Sequence, residues 1–145
     1  MLTDEERRRV FDYLSLSMGL LSSVQFSASS NEYDIRNGFS RLYYAFFHVS
    51  LGLLIAKGID IDLFRKDHGK VQTQVNRHMG KYMGKAIHDL YRARLQADYE
   101  PLFFRSKYGE DPQKAQERAQ IDAVTTLQRA KSNFFWIYFQ AKSLL

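Results

Sequence analysis

The sequence predicts an all-α protein of five helices packed in a mainly antiparallel bundle. Apolar residues recur with a helical period in every long segment, no stretch of any length alternates as a strand would, and only Pro101 and Pro112 interrupt the chain. A chain of 145 residues with 45% hydrophobic content is the size of one domain and can bury a real core, so residues 1–145 are expected to form a single unit.

Thr3 followed by Glu6 has capping-box spacing and opens a first helix expected to reach about Phe26. Arg7, Arg8 and Arg9 ahead of an apolar run could pass for the start of a signal peptide. Asp4, Glu5 and Glu6 precede those arginines and Asp12 interrupts the run, so an amphipathic helix is the reading. The loop SASSNEYD supplies the next N-cap, and a second helix is expected from about Asn31 to Lys57, with Gly58 as its stop. Its apolar run, Leu42 to Ala56, is shorter than the about 20 residues a membrane span needs, and no membrane contact is expected. Asp67 caps a third helix to about Tyr82. A fourth runs from about Gly84 to Tyr99 and ends before Pro101. Asp111 with Pro112, a cap followed by the residue best tolerated at the first helical position, opens a fifth to about Ser143.

On a helical wheel Ile35, Phe39, Leu42, Phe46, Val49 and Leu53 form one core stripe, joined by Leu90, Leu127 and Trp136 or Phe135 from later helices. Tyr43, Phe47 and Leu54 widen the stripe on one flank. Ala45 and Gly52 lie on the other, where a neighbouring helix could approach closely. Asn37, Arg41, Tyr44 and His48 fall on the side opposite the core, with Arg41 and His48 roughly 10 Å apart along the axis. A phosphate could be held by Arg41 while His48 reaches a neighbouring oxygen. Both could equally be plain solvent-facing residues, because such a spacing arises by chance in a chain this rich in arginine.

The net charge is +5, and the stretch from Arg65 to Arg94 holds eight Lys or Arg against two Asp. Such a patch suits a polyanion, with Tyr82, Tyr91 and Tyr99 available to stack on bases; a solvated basic face or an acidic protein partner are the alternatives. The candidate substrate-binding residues are Asn37, Tyr44, His68, Arg92, Arg94 and Tyr99. Asp98 has the spacing for an intrahelical pair with Arg94, and could instead hold His48 or Arg41 in position. His68, His78 and His88 are ten residues apart rather than three or four and no cysteine is present, so neither a metal nor a cofactor is expected. No P-loop, dinucleotide fingerprint or nucleophile elbow occurs, and nothing calls for an oxidising compartment, so the expected location is cytoplasmic.

The segments SRLYYAFFHVSLGLLIAKGI, KDHGKV and YRARLQADYEP, in that order, resemble the HEPN family of small helical domains, and within it the free-standing prokaryotic branch. That branch carries an R-x-Y-Y-A-x-F-H helix, a G-I turn, a T-H-x-x-V-like helix start and an R-x-x-A-D-Y-[DE] helix end. The resemblance implies an up-and-down helical bundle that commonly dimerises. Many members are metal-independent endoribonucleases found as toxins or in defence systems, and others accompany small nucleotidyltransferases. In the nucleases an Arg-x(4 to 6)-His motif is catalytic and two copies meet across the dimer, which assigns catalytic roles to Arg41 and His48. RNA brings its own nucleophile in the 2′-hydroxyl, so His48 would move protons and Arg41 would hold the phosphate charge. Three readings follow: a ribonuclease of a toxin-antitoxin or defence system, a non-catalytic module binding RNA or nucleotide beside a nucleotidyltransferase or antitoxin, and an unrelated helical interaction protein. A homodimer is expected from the family, from the Ala45 and Gly52 flank, and from the aromatic run NFFWIYF near the end of the chain.

Overall fold

The computed structural model describes residues 1–27 and 29–145; Ala28, in the loop expected after the first helix, lies outside the described residues. Among the described residues the chain is all-helical, a helical bundle of α1 (Asp4–Ser22), α2 (Glu32–Ala56), α3 (His68–Met79), α4 (Lys81–Tyr99), α5 (Phe103–Tyr108) and α6 (Pro112–Ser143). A short 3-10 turn, Ile61–Leu63, follows α2. Local chemistry sets most of these boundaries. Thr3 Oγ1 accepts from the Glu6 amide while Glu6 returns a carboxylate to the Thr3 amide, a complete capping box. Asn31 and Asp34 repeat the device at α2. Asp67 caps α3 and Asp111 caps α6.

Among the described residues six helices stand where five were expected. The extra one, α5, has six residues and lies between the two prolines, too short to display a helical period. α1 stops at Ser22 rather than near Phe26: the Ser23 hydroxyl donates back to the Leu20 carbonyl, and the departing chain turns Val24 into the core. The break between α3 and α4 falls at Gly80, whose φ of 95° suits glycine, and not between Tyr82 and Gly84. Gly84 instead lies inside α4 where α3 crosses it.

α2 is the centre of the bundle, packed against α1, α4 and α6, and its core stripe from Ile35 to Leu53 is fully buried. Each large side chain enclosed in this way contributes roughly 1.5–3 kcal/mol relative to exposure. α2 is long and apolar enough to cross a membrane, and 78% of its most apolar window is buried inside the fold. The Ala45 and Gly52 flank faces α1: a Cβ on Gly52 would stand 3.4 Å from Tyr13 Cβ. That flank is therefore occupied within the chain and is not a free dimer surface. Trp136 does not enter the core, being 44% exposed, whereas Phe135 packs partly against it.

The buried residues form two clusters, a large one around α1, α2, α3, α4 and the end of α6, and a smaller one joining Ile35 and Phe39 to α5 and the first half of α6. Arg36 ties α2 to the end of α4. Its guanidinium donates to the carbonyls of Ala97, Glu100 and Pro101 at and just beyond the helix end, and it also pairs with Glu32.

Two glycines of α2 and α4 separate close packing from mere absence of a side chain. A Cβ on Gly84 would lie 2.7 Å from Asn76 Cβ and 3.0 Å from Asn76 Cα, so Gly84→Ala must push α3 away and should cost roughly 1–3 kcal/mol. Gly52→Ala meets only ordinary contacts and should be neutral, or stabilising by up to about 1 kcal/mol through helix propensity. Thermal melts of the two variants check this. Equal melting temperatures would refute the tight α3–α4 crossing.

Candidate functional site

The polar side of α2 is not a free surface. His48 is half-buried, with its ring stacked between Tyr13 of α1 at 5.8 Å and Tyr44 at 6.1 Å, and with Phe47 edge-on at 5.4 Å. This corrects the expectation that His48 stands apart from the aromatics. The wheel assumed one solvent side, but α1 covers much of it. His48 Nδ1 is buried without a hydrogen-bond partner among the described residues, and burial lowers the imidazole pKa below its ordinary value.

Arg41 is exposed and turns the other way. Its guanidinium reaches the Ser23 carbonyl at the end of α1, 3.4 Å away, where a cation also suits the helix dipole. It lines a cavity with Asn37, Gly38 and the serines of the α1–α2 loop, and neither Tyr44 nor His48 contributes to that cavity. Within one chain Arg41 and His48 therefore serve different surroundings.

The cation that meets the aromatics is Arg94. Its side chain is only 12% exposed, with Nε donating to Asp98 Oδ2 at 3.2 Å. The guanidinium lies 5.1 Å from the ring centre of Tyr44, 5.8 Å from that of Tyr99 and 5.9 Å from that of Tyr43. Asp98 also accepts from the Ser40 hydroxyl, which fixes it to α2; Arg41 and His48 are not among its partners in the described residues. The intrahelical pair expected of Arg94 and Asp98 is present, and Asp98 holds Arg94 rather than the residues of α2.

His68, the first residue of α3, completes the cluster. Tyr43 Oη and His68 Nδ1 are 2.6 Å apart. An imidazole nitrogen accepts more strongly than a phenol oxygen, so the assigned arrangement has Tyr43 donating and the ring hydrogen of His68 on Nε2. Tyr91 stacks on the same imidazole at 5.3 Å. Burial raises the Tyr43 pKa and, with the nearby charge of Arg94, lowers that of His68, while Asp67 acts in the opposite direction. Both partners are thereby held neutral, the state their hydrogen bond requires. Tyr13 and Tyr43 were not singled out from the sequence as site residues, and only the tertiary packing reveals them.

The result is a continuous row of planar groups, the rings of His48 and Tyr44, the guanidinium of Arg94 and the ring of Tyr99, backed by Tyr43, His68 and Tyr91. Tyr99 is 69% exposed at one end, and Arg92 stands exposed on the same helix. Among the described residues no group of three or more His, Asp or Glu side chains converges as metal ligands do. Such a row offers stacking faces and cations, together with imidazoles uncharged at neutral pH. No protein-family model, curated protein or solved structure matches this chain.

The neutral imidazoles set a pH dependence. In the unfolded chain these histidines take up protons near pH 6.5, while the folded chain resists them, so the unfolded state binds more protons just below that pH and stability falls as pH drops. The melting temperature should decline from about pH 7.5 to about pH 5.5, and His48→Gln or His68→Gln should each flatten the decline. A wild-type profile flat across that range would contradict the assignment.

Proposed function

We propose that this chain is a HEPN-like RNA-binding module that takes single-stranded RNA along the row from His48 to Tyr99. The observation that carries the reading is the set of ring faces gathered on Arg94, because stacking on aromatic and guanidinium planes is how unpaired bases are held. The basic stretch from Arg65 to Arg94 ends at the row, where Arg92 is exposed and would meet the phosphates while Arg94 is already engaged by Asp98; Lys81 and Lys85 lie on the opposite face of α4 from Arg94. The proposed setting is the cytoplasm, beside a nucleotidyltransferase or an antitoxin. The proposed assembly is a homodimer joined through the exposed Trp136 and Phe139 of α6.

A second reading, a metal-independent endoribonuclease using Arg41 and His48, is favoured by one observation: the desolvated, neutral His48 imidazole is the form a general base needs at pH 7. Because Arg41 and His48 face different surroundings in one chain, that reading calls for a second copy to complete the site.

Fluorescence anisotropy with a labelled single-stranded RNA separates these readings. Wild type should bind, with affinity falling steeply as salt is raised. Tyr99→Ala should weaken binding by roughly 5- to 150-fold at an unchanged melting temperature, the range expected for one stacked base. No binding at low salt would overturn the proposal. Cleavage that persists in EDTA, yields 2′,3′-cyclic phosphate ends and is lost in His48→Ala would establish the second reading instead.

A further inference from the structure

The two apolar clusters fail to merge at one place. Where α2, α4, α5 and α6 meet, the short side chains of Ala86, Ala93 and Ala130 leave a cavity of about 190 Å³ beside Phe39 and Leu90. Phe39 belongs to the smaller cluster, and Leu90 and Ala130 to the larger. No residue of this cavity belongs to the aromatic row described above, since α4 turns Ala86, Leu90 and Ala93 to one side and Tyr91 and Arg94 to the other.

The polar groups of the cavity have a pattern. Asn133 is 8% exposed, lines the cavity and makes no side-chain hydrogen bond among the described residues. Its amide atoms are not among the fully buried, unpartnered ones, so they reach the solvent of the cavity and can bond to a ligand there in place of water. Asp89, at the rim, is held by Lys85 at 2.7 Å. Lys107 is shared with Asp122 at 3.5 Å and lies over the ring of Phe39. Arg129, exposed at the rim, pairs with no carboxylate among the described residues. It stands four residues before Asn133 on α6, so the two side chains share a face. The uncompensated charge at this opening is therefore positive, and it adjoins an amide that opens into the same cavity.

From this we infer that the seam is a binding site for a small organic monocarboxylate with an apolar body, the size of one ring or a branched chain. The apolar end rests on Phe39, Leu90 and the alanines. The carboxylate accepts from Arg129 and from the Asn133 amide. Size fits, since a cavity of about 150 Å³ in another protein accommodates benzene. A single free guanidinium with so little volume suits one carboxylate and not a polyphosphate chain. This site is independent of the RNA reading and stands or falls separately.

Thermal melts with benzoate and isovalerate test it, beside neutral benzamide, cationic benzylamine and matched sodium chloride. An acid at ten times its Kd should raise the melting temperature of wild type by roughly 3–6 °C. The amide and the amine should do markedly less. Arg129→Gln, an exposed change that leaves the core intact, should abolish the acid-specific shift, and Ala130→Leu should abolish it by filling the space. NMR should place the bound acid at the Ala86, Ala93 and Ala130 methyls, which keeps the test decisive should Ala130→Leu fail to fold. No shift with either acid at millimolar concentration, an equal shift with benzamide, or a full shift retained in Arg129→Gln would overturn the inference.

Discussion

A helix that is apolar around most of its circumference has to be enclosed, and in this chain that helix is α2. Packing α1, α4 and α6 around it leaves its few polar side chains no common open face. Three of them are met by the element that covers them, Ser40 by Asp98 of α4, Arg41 by the end of α1 and His48 by the ring of Tyr13, while Ser50 is buried with no partner for its hydroxyl among the described residues. The candidate site is in this sense a by-product of core burial. The demand to cover Phe39, Leu42, Phe46 and Leu53 brings α4 close enough for Arg94 to reach the tyrosines of α2.

Arg94 then sets the electrostatics of the neighbourhood. A guanidinium that has lost most of its water needs compensation. Asp98 gives it a carboxylate and the rings of Tyr43, Tyr44 and Tyr99 give it negative faces. Its charge also discourages a proton on His68, which keeps that imidazole an acceptor for Tyr43. At the far side of α4 the packing is less complete. α6 packs on α2 and α5, with the alanines at 115, 119 and 123 in the smaller cluster, and where Ala130 lines the cavity with Ala86 and Ala93 the bundle stays open.

What could be read in advance follows the range of the interaction. Thr3 with Glu6, Asp67, and Asp111 with Pro112 act within one turn of chain, so the helix starts they announce are found in place. The core stripe of α2 and the Arg94–Asp98 pair are also local regularities. Gly80 and Gly84 look alike in sequence, and only the crossing of α3 over α4 decides that the first breaks a helix while the second admits a neighbour. α5 is too short to have a period. The contact of Tyr43 with His68, 25 residues away, and the turning of Arg41 away from His48 depend on how three helices settle around α2, which no spacing rule encodes.

The proposed RNA-binding row runs from His48 through Tyr44 and Arg94 to Tyr99. An NMR titration of the labelled chain with a short unpaired RNA, following aromatic and arginine side-chain signals, addresses it directly. Binding along the row should give the largest shifts at Tyr44, Arg92, Arg94 and Tyr99, with smaller ones at His48 and His68. Shifts confined to the cavity beside Arg41 and Asn37, or to the Trp136 and Phe139 face of α6, would contradict it.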